Sequence, residues 1–89
     1  MLDDTTLKVA DKVRVREESE DKFLIYHDER GYETNAVGAA IIDICQNPTS
    51  FAGICKRLQE VFDAPPEEIR NDTEEILISF VENKLLLEQ

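Results

Sequence analysis

The sequence predicts an α+β fold, a three-stranded antiparallel sheet followed by three helices (βββααα). Three observations carry it. The chain before Tyr32 alternates apolar and polar residues or is rich in strand formers. The chain after it places apolar residues at helical spacing. Between them, in Tyr32–Ala40 (YETNAVGAA), stands Asn35, whose short amide can accept a hydrogen bond from a free N–H of a first helical turn.

The elements follow in order. Residues 1–11 are polar and lack a period; they read as a flexible N-terminal tail, or as a short extra strand around Leu7 to Val9. Lys12 to Glu18 sets Val13 and Val15 against Arg14 and Arg16, the pattern of a half-buried strand. Glu17 to Asp21 is a charged turn. Phe23 to His27 is the central strand. Asp28-Glu29-Arg30-Gly31 is a hairpin loop in which Gly31 supplies a positive φ. Tyr32 to Thr34 is a short third strand.

The first helix runs from Ala36 to about Gln46, with Val37, Ile41, Ile44 and Cys45 as its buried stripe, and Asn47-Pro48 stops it. Thr49 or Ser50 caps the second helix, whose apolar face is Phe51, Ile54, Cys55, Leu58 and Phe62. Asp63-Ala64-Pro65-Pro66 breaks the chain. A third helix starts near Pro66 or Glu67, with carboxylates in its first turn to match the helix dipole. Its stripe is Ile69, Thr73, Ile76, Leu77 and Phe80, and Leu85 to Leu87 close the chain on the core. This order is winged helix-turn-helix-like, with the wing moved to the front.

Eighty-nine residues make one domain, too small for a core and a large catalytic cleft together. The formal charge is −10. That opposes nucleic acid and anionic membranes, whose phosphates are met by Lys and Arg, and favours a basic or neutral partner. There is no apolar run of transmembrane length and no signal-peptide core at the start, so a cytoplasmic location is expected.

Catalytic chemistry is nearly absent. His27 is the single histidine and has no evident nucleophile or second base. Cys45 and Cys55 sit on apolar helical faces, where a cysteine packs as a small hydrophobe, and zinc would need two more ligands. The expectation is no enzyme, no cofactor and no metal. The acidic residues carry more. Glu67 to Glu82 holds six carboxylates against Arg70 alone, an electronegative wall that repels DNA and can steer a basic peptide. The first strand bears Arg14, Arg16, Glu17 and Glu18, charges that discourage edge pairing. The third strand bears one charge, and its free main-chain groups can accept an added peptide strand.

From Val13 to Leu87 the chain resembles the PqqD-like domains, precursor-peptide recognition elements of ribosomally made natural products (RiPPs). The resemblance rests on Val13-Arg14-Val15-Arg16, Phe23-Leu24-Ile25-Tyr26 and Asn35 to Ile41. It continues through Ser50-Phe51, Ile54, Leu58 and Phe62, then Pro66 to Ile69, Asp72, Phe80 and Leu85-Leu86. Where the family usually has Leu before the Asn, this chain has Thr34. It has Asn47-Pro48 and Lys84 where the family tends to have Gly.

The resemblance implies a binding module that holds a leader peptide as an extra strand on the third strand, in a groove walled by the third helix. It also implies delivery of the core peptide to a separate enzyme. That enzyme would be a leader protease and cyclase for a lasso-peptide type, towards which the Asn35-x-x-Gly38-Ala39 pattern leans. It would be a radical SAM enzyme for a PqqD type serving the pyrroloquinoline quinone precursor. A winged-helix DNA-binding or regulatory domain is the alternative, against which the charge speaks. On this reading Tyr32, Glu33 and Thr34 provide main-chain pairing beside Asn35. Asp72, Glu75 and Ser79 share a helix face by their spacing, and Ile76 and Phe80 floor the groove.

Overall fold

Asn35 caps the first helix in the computed structural model, which describes residues 1–89. In chain order the elements are β1 (Thr6–Val9), β2 (Arg14–Ser19), β3 (Lys22–His27), β4 (Arg30–Thr34), α1 (Ala36–Ile44), β5 (Thr49–Ser50), α2 (Phe51–Val61), α3 (Pro66–Glu82) and β6 (Leu86–Glu88). The expected meander and three helices are there, as β2-β3-β4 and α1 to α3. A second antiparallel sheet, ordered β5-β1-β6, is added to them.

That second sheet decides between the two readings of the N-terminus. Residues 1–11 are not a loose tail: β1 is the middle strand, and Leu7 within it is fully buried. The strand is tied on every side. The Val9 N–H donates to the Cys45 carbonyl at 2.9 Å and the Ala10 N–H to the Leu85 carbonyl at 2.9 Å. Upstream, the Thr5 and Asp3 carbonyls accept from the N–H groups of Phe51 (2.8 Å) and Ala52 (3.1 Å), at the start of α2. The Met1 ammonium pairs with Glu74 and the Asp3 carboxylate with Arg70, both on α3. Arg70 also lies 4.7 Å over the Phe51 ring.

The meander is built from two-residue turns. Asp28 and Glu29 both take positive φ, 52° and 65°, between the paired residues His27 and Arg30. This is the type I′ turn whose twist matches that of the strands. Gly31, expected to supply the positive φ, lies inside β4 with an ordinary φ. Ser19 and Lys22 flank the other turn, and a bulge between Glu17 and Ser19 shifts the register.

The half-buried reading of the first strand is corrected. All of β2 is exposed, and Val15 retains 38% of its surface. The physical reason is reach: α1 packs chiefly on β3 and β4, and β2 lies at the far edge of the sheet, where its residues stay exposed. Val13, just before β2, is the residue that packs on the core.

The core lies between the two sheets and the helices. It is one cluster containing Leu7, Ile25, Ile41, Phe51, Leu58 and Leu77, among others. Ser50 caps α2, its hydroxyl accepting from the Gly53 N–H at 3.1 Å. Pro66 opens α3, and Glu67 and Glu68 fill its first turn. At the far end Lys84 takes φ 63°, the Leu85 N–H donates to the Phe80 carbonyl at 2.9 Å, and the Lys84 N–H donates to that of Val81 at 3.1 Å. Those two bonds form a Schellman motif, and its left-handed position is where the family tends to have Gly.

Candidate functional site: an open strand edge beside an acidic cleft

β4 is an edge strand, and the pairing of β1 with β5 and β6 leaves that edge open. The turn at Asp28-Glu29 fixes which groups it offers. The pair flanking such a turn is hydrogen-bonded, and bonded pairs then alternate along the ladder. His27↔Arg30, Ile25↔Tyr32 and Phe23↔Thr34 are therefore the bonded pairs. Tyr32 and Thr34 turn their main-chain groups towards β3. Gly31 and Glu33 turn theirs outward. Of the three residues expected to provide main-chain pairing, Glu33 alone faces the open edge, and Gly31 joins it.

Three elements meet where β4 ends. The Asn35 side chain accepts from the Gly38 N–H at 3.0 Å, fixing the first turn of α1. The Asp21 carboxylate accepts from the Ala36 N–H at 3.0 Å and ties the same turn to the β2–β3 loop. Gly38 has no room for a side chain: a Cβ there would lie 1.9 Å from Thr34 Oγ1 and 3.2 Å from Phe80 Cζ. The bare backbone of α1 thus lets β4 and α3 close on one point.

A cleft of about 240 Å³ opens beside this point, lined by Asn35, Val37, Asp72, Glu75 and Ile76. Four of these were expected from the sequence, and the structure brings them together. The other two helix-three candidates lie elsewhere. Ser79 is exposed outside the lining, its carbonyl accepting from the Asn83 N–H at 3.0 Å. Phe80 is buried in the core beneath Gly38 rather than flooring the cleft.

A second hollow of about 190 Å³ adjoins the first, sharing Val37 and Asp72 with it. Leu58, Phe62, Ala64 and Ile69 make its apolar wall, and exposed Asp63 completes it. Sequence reasoning placed Val37 in the core stripe and missed this hollow. The available signal was position: Val37 is the first member of its stripe, where a helix end leaves a side chain half-covered.

The cleft is negative without compensation. Asp63, Asp72 and Glu75 take part in none of the four ion pairs, Met1–Glu74, Arg16–Glu18, Lys22–Glu33 and Arg70–Asp3. No basic residue lines either hollow. Neither hollow is lined by a histidine or a cysteine. Both thiols are buried away from the cleft; burial pushes the Cys45 thiol up to about 12 and raises that of Cys55, so both stay protonated and unreactive near neutral pH. His27 is half-buried, its Nδ1 without a partner. No helix is long and apolar enough to cross a membrane.

Comparison with known proteins agrees with this architecture. Residues 22–86 match the family described as coenzyme PQQ synthesis protein D (PqqD). The chain is 30% identical over 81 residues to the PqqA binding protein of Methylococcus capsulatus, covering 90% of this chain and 85% of that one. Its fold is similar to the solution NMR structure of the PqqD truncation of Methylobacterium extorquens PqqCD, described as a functional, stand-alone RiPP recognition element. The TM-score is 0.74 at 20% identity, over 92% of this chain and 88% of that one. With a match over residues 22–86 and a relative alike over nearly its whole length, the chain belongs to the PqqD family.

Proposed function

We propose that this protein is a non-catalytic recognition element that binds the leader segment of a ribosomally made precursor peptide by strand addition to β4. The observation that carries the reading is the open edge of β4 running into an unpaired acidic cleft. An extended peptide pairs with the outward main-chain groups of Gly31 and Glu33, while its side chains fall towards α3. Delivery of the bound peptide to a modifying enzyme in the cytoplasm, where the precursor is made, follows from this role.

Similarity to a PqqA binding protein makes a PqqA-type peptide the first ligand to test, with a radical SAM enzyme as the recipient. The Asn35-x-x-Gly38 spacing no longer favours a lasso-type leader with its protease and cyclase. Asn35 is a helix cap and Gly38 a close-packing position, so both are requirements of the fold. A DNA-binding role is disfavoured by the charge of −10.

The test is a fluorescence-polarisation titration of the whole protein with labelled PqqA-type and lasso-type leader peptides and scrambled controls. Saturable binding at micromolar affinity or tighter, abolished by proline in the peptide's strand-forming stretch, is expected for one of them. Equal binding of the proline-substituted peptide would overturn strand addition.

A further inference from the structure

We propose that the groove reads a two-part address in its peptide: an apolar side chain, then one spacer residue, then a basic side chain (apolar-x-basic). This rests on the strand-addition reading above and adds the specificity to it. The two hollows are adjoining but chemically unlike. One is walled by Leu58, Phe62, Ala64 and Ile69 under the α2–α3 turn, and its volume of about 190 Å³ suits one aliphatic or aromatic side chain. The other carries Asp72 and Glu75, neither paired with a cation, and suits a Lys or Arg.

Spacing follows from α3. Ile69, Asp72 and Glu75 are three residues apart, so the apolar and acidic sites are offset by about one helical turn, roughly 5 Å along the axis. Same-face side chains of an extended strand stand about 7 Å apart at i and i+2 and about 13 Å apart at i and i+4, so a single spacer comes nearest to this offset. Exposed Asp63 and Asp72 at the apolar hollow add charge that a neighbouring basic residue relieves.

Order follows from β4. The strand runs towards Asn35, which lines the acidic hollow; the apolar hollow lies beyond it. Antiparallel addition is the slightly more stable pairing. It places the peptide's upstream end at that side, so the apolar residue comes first, then the basic one, then the stretch that pairs with Glu33 and Gly31.

The experiment is selection from a displayed library of twelve-residue threonine-rich peptides, randomised at two positions separated by one residue. The whole protein is the bait. Enrichment of Leu, Ile, Phe or Tyr at the first position and Lys or Arg at the second is expected. Ala64→Phe, which fills the apolar hollow, should erase selection at the first position alone and weaken the best peptide about tenfold, the scale of one lost apolar contact. Asp72→Asn with Glu75→Gln should erase selection at the second alone, at about fivefold, the scale of two exposed ion pairs. Binding without preference at either position would overturn the address and leave strand addition standing. Failure of every peptide to bind would overturn both. Enrichment of basic-x-apolar would overturn the order proposed here.

Discussion

Gly38 is the residue on which the site's geometry turns. Its α-carbon faces Thr34 and Phe80 with no space for a methyl group, since a Cβ would stand 1.9 Å from Thr34 Oγ1. Gly38→Ala should therefore cost about 1–3 kcal/mol, the usual cost of overpacking, and lower the thermal midpoint by roughly 5–15 °C. Removing the clashing oxygen should recover part of the loss, so the double variant Gly38→Ala/Thr34→Ala should melt above Gly38→Ala alone. A single variant as stable as the parent would show that α1 does not approach β4 this closely. Lys84 makes the opposite case. Its φ of 63° places a side chain in the left-handed region, which costs roughly 1–2 kcal/mol for a residue other than glycine. Lys84→Gly should stabilise the protein by about 0.5–1 kcal/mol, read as a higher urea midpoint at unchanged slope. Destabilisation would mean that the lysine stem contributes packing that the Schellman motif does not reveal. Cys45 gives the pH dependence. Burial pushes its thiol up to about 12, with Arg57 opposing weakly. A raised pKa means that its contribution to stability is full below the unfolded-state value, about 8.5, and is lost as pH climbs towards 12. Stability measured from pH 8 to 11 should fall more steeply in the parent than in Cys45→Ala.

Among the elements, β4 carries the sharpest test, and the register determines where to cut. Thr34 bonds to Phe23 within the sheet, so Thr34→Pro removes a ladder bond, clashes with its neighbours and should cost about 3 kcal/mol. Glu33 faces the open edge, where proline is tolerated, so Glu33→Pro should fold with a stability change on the order of 1 kcal/mol or less. It should still bind peptide at least tenfold more weakly, because the added strand loses a main-chain donor at its centre. Unchanged affinity in a folded Glu33→Pro protein would sink strand addition. These elements also show what a sequence can and cannot display. The meander was legible because Phe23 to His27 is a run of strand formers, and α1 to α3 because their stripes repeat and their ends carry Asn35, Asn47-Pro48, Ser50 and Pro66. The sheet β5-β1-β6 was not. Thr49–Ser50 and Leu86–Glu88 are two and three residues long, too short to show a period, and they become strands only when β1 arrives between them. The site was legible to the same degree. Asn35, Asp72, Glu75 and Ile76 follow from capping and helical spacing. Phe80 and Val37 do not, since which of two stripe residues is covered depends on where α1 and α3 touch.

Across the whole molecule charge is divided unevenly in its effect. The net charge is −10, yet Glu74 and Asp3 are spent holding the N-terminal segment to α3 through Met1 and Arg70. Asp63, Asp72 and Glu75 are left uncompensated at the cleft. A field of this kind acts mainly on encounter: it raises association of a basic peptide and leaves dissociation to the close contacts. The screening length is about 10 Å at 0.1 M salt and shortens as salt rises, so the effect should be steeply salt-dependent. Raising NaCl from 50 to 500 mM should lower the association rate constant of a basic leader peptide about tenfold, with less than about twofold change in dissociation. Asp72→Asn/Glu75→Gln should bind more slowly at low salt and approach the parent at high salt, because what it lacks is what salt screens away. Stopped-flow fluorescence separates the two rates. A salt effect confined to dissociation would leave Asp72 and Glu75 acting only through contact with the bound peptide, and a salt-insensitive association rate would remove electrostatic steering from the account of this protein altogether.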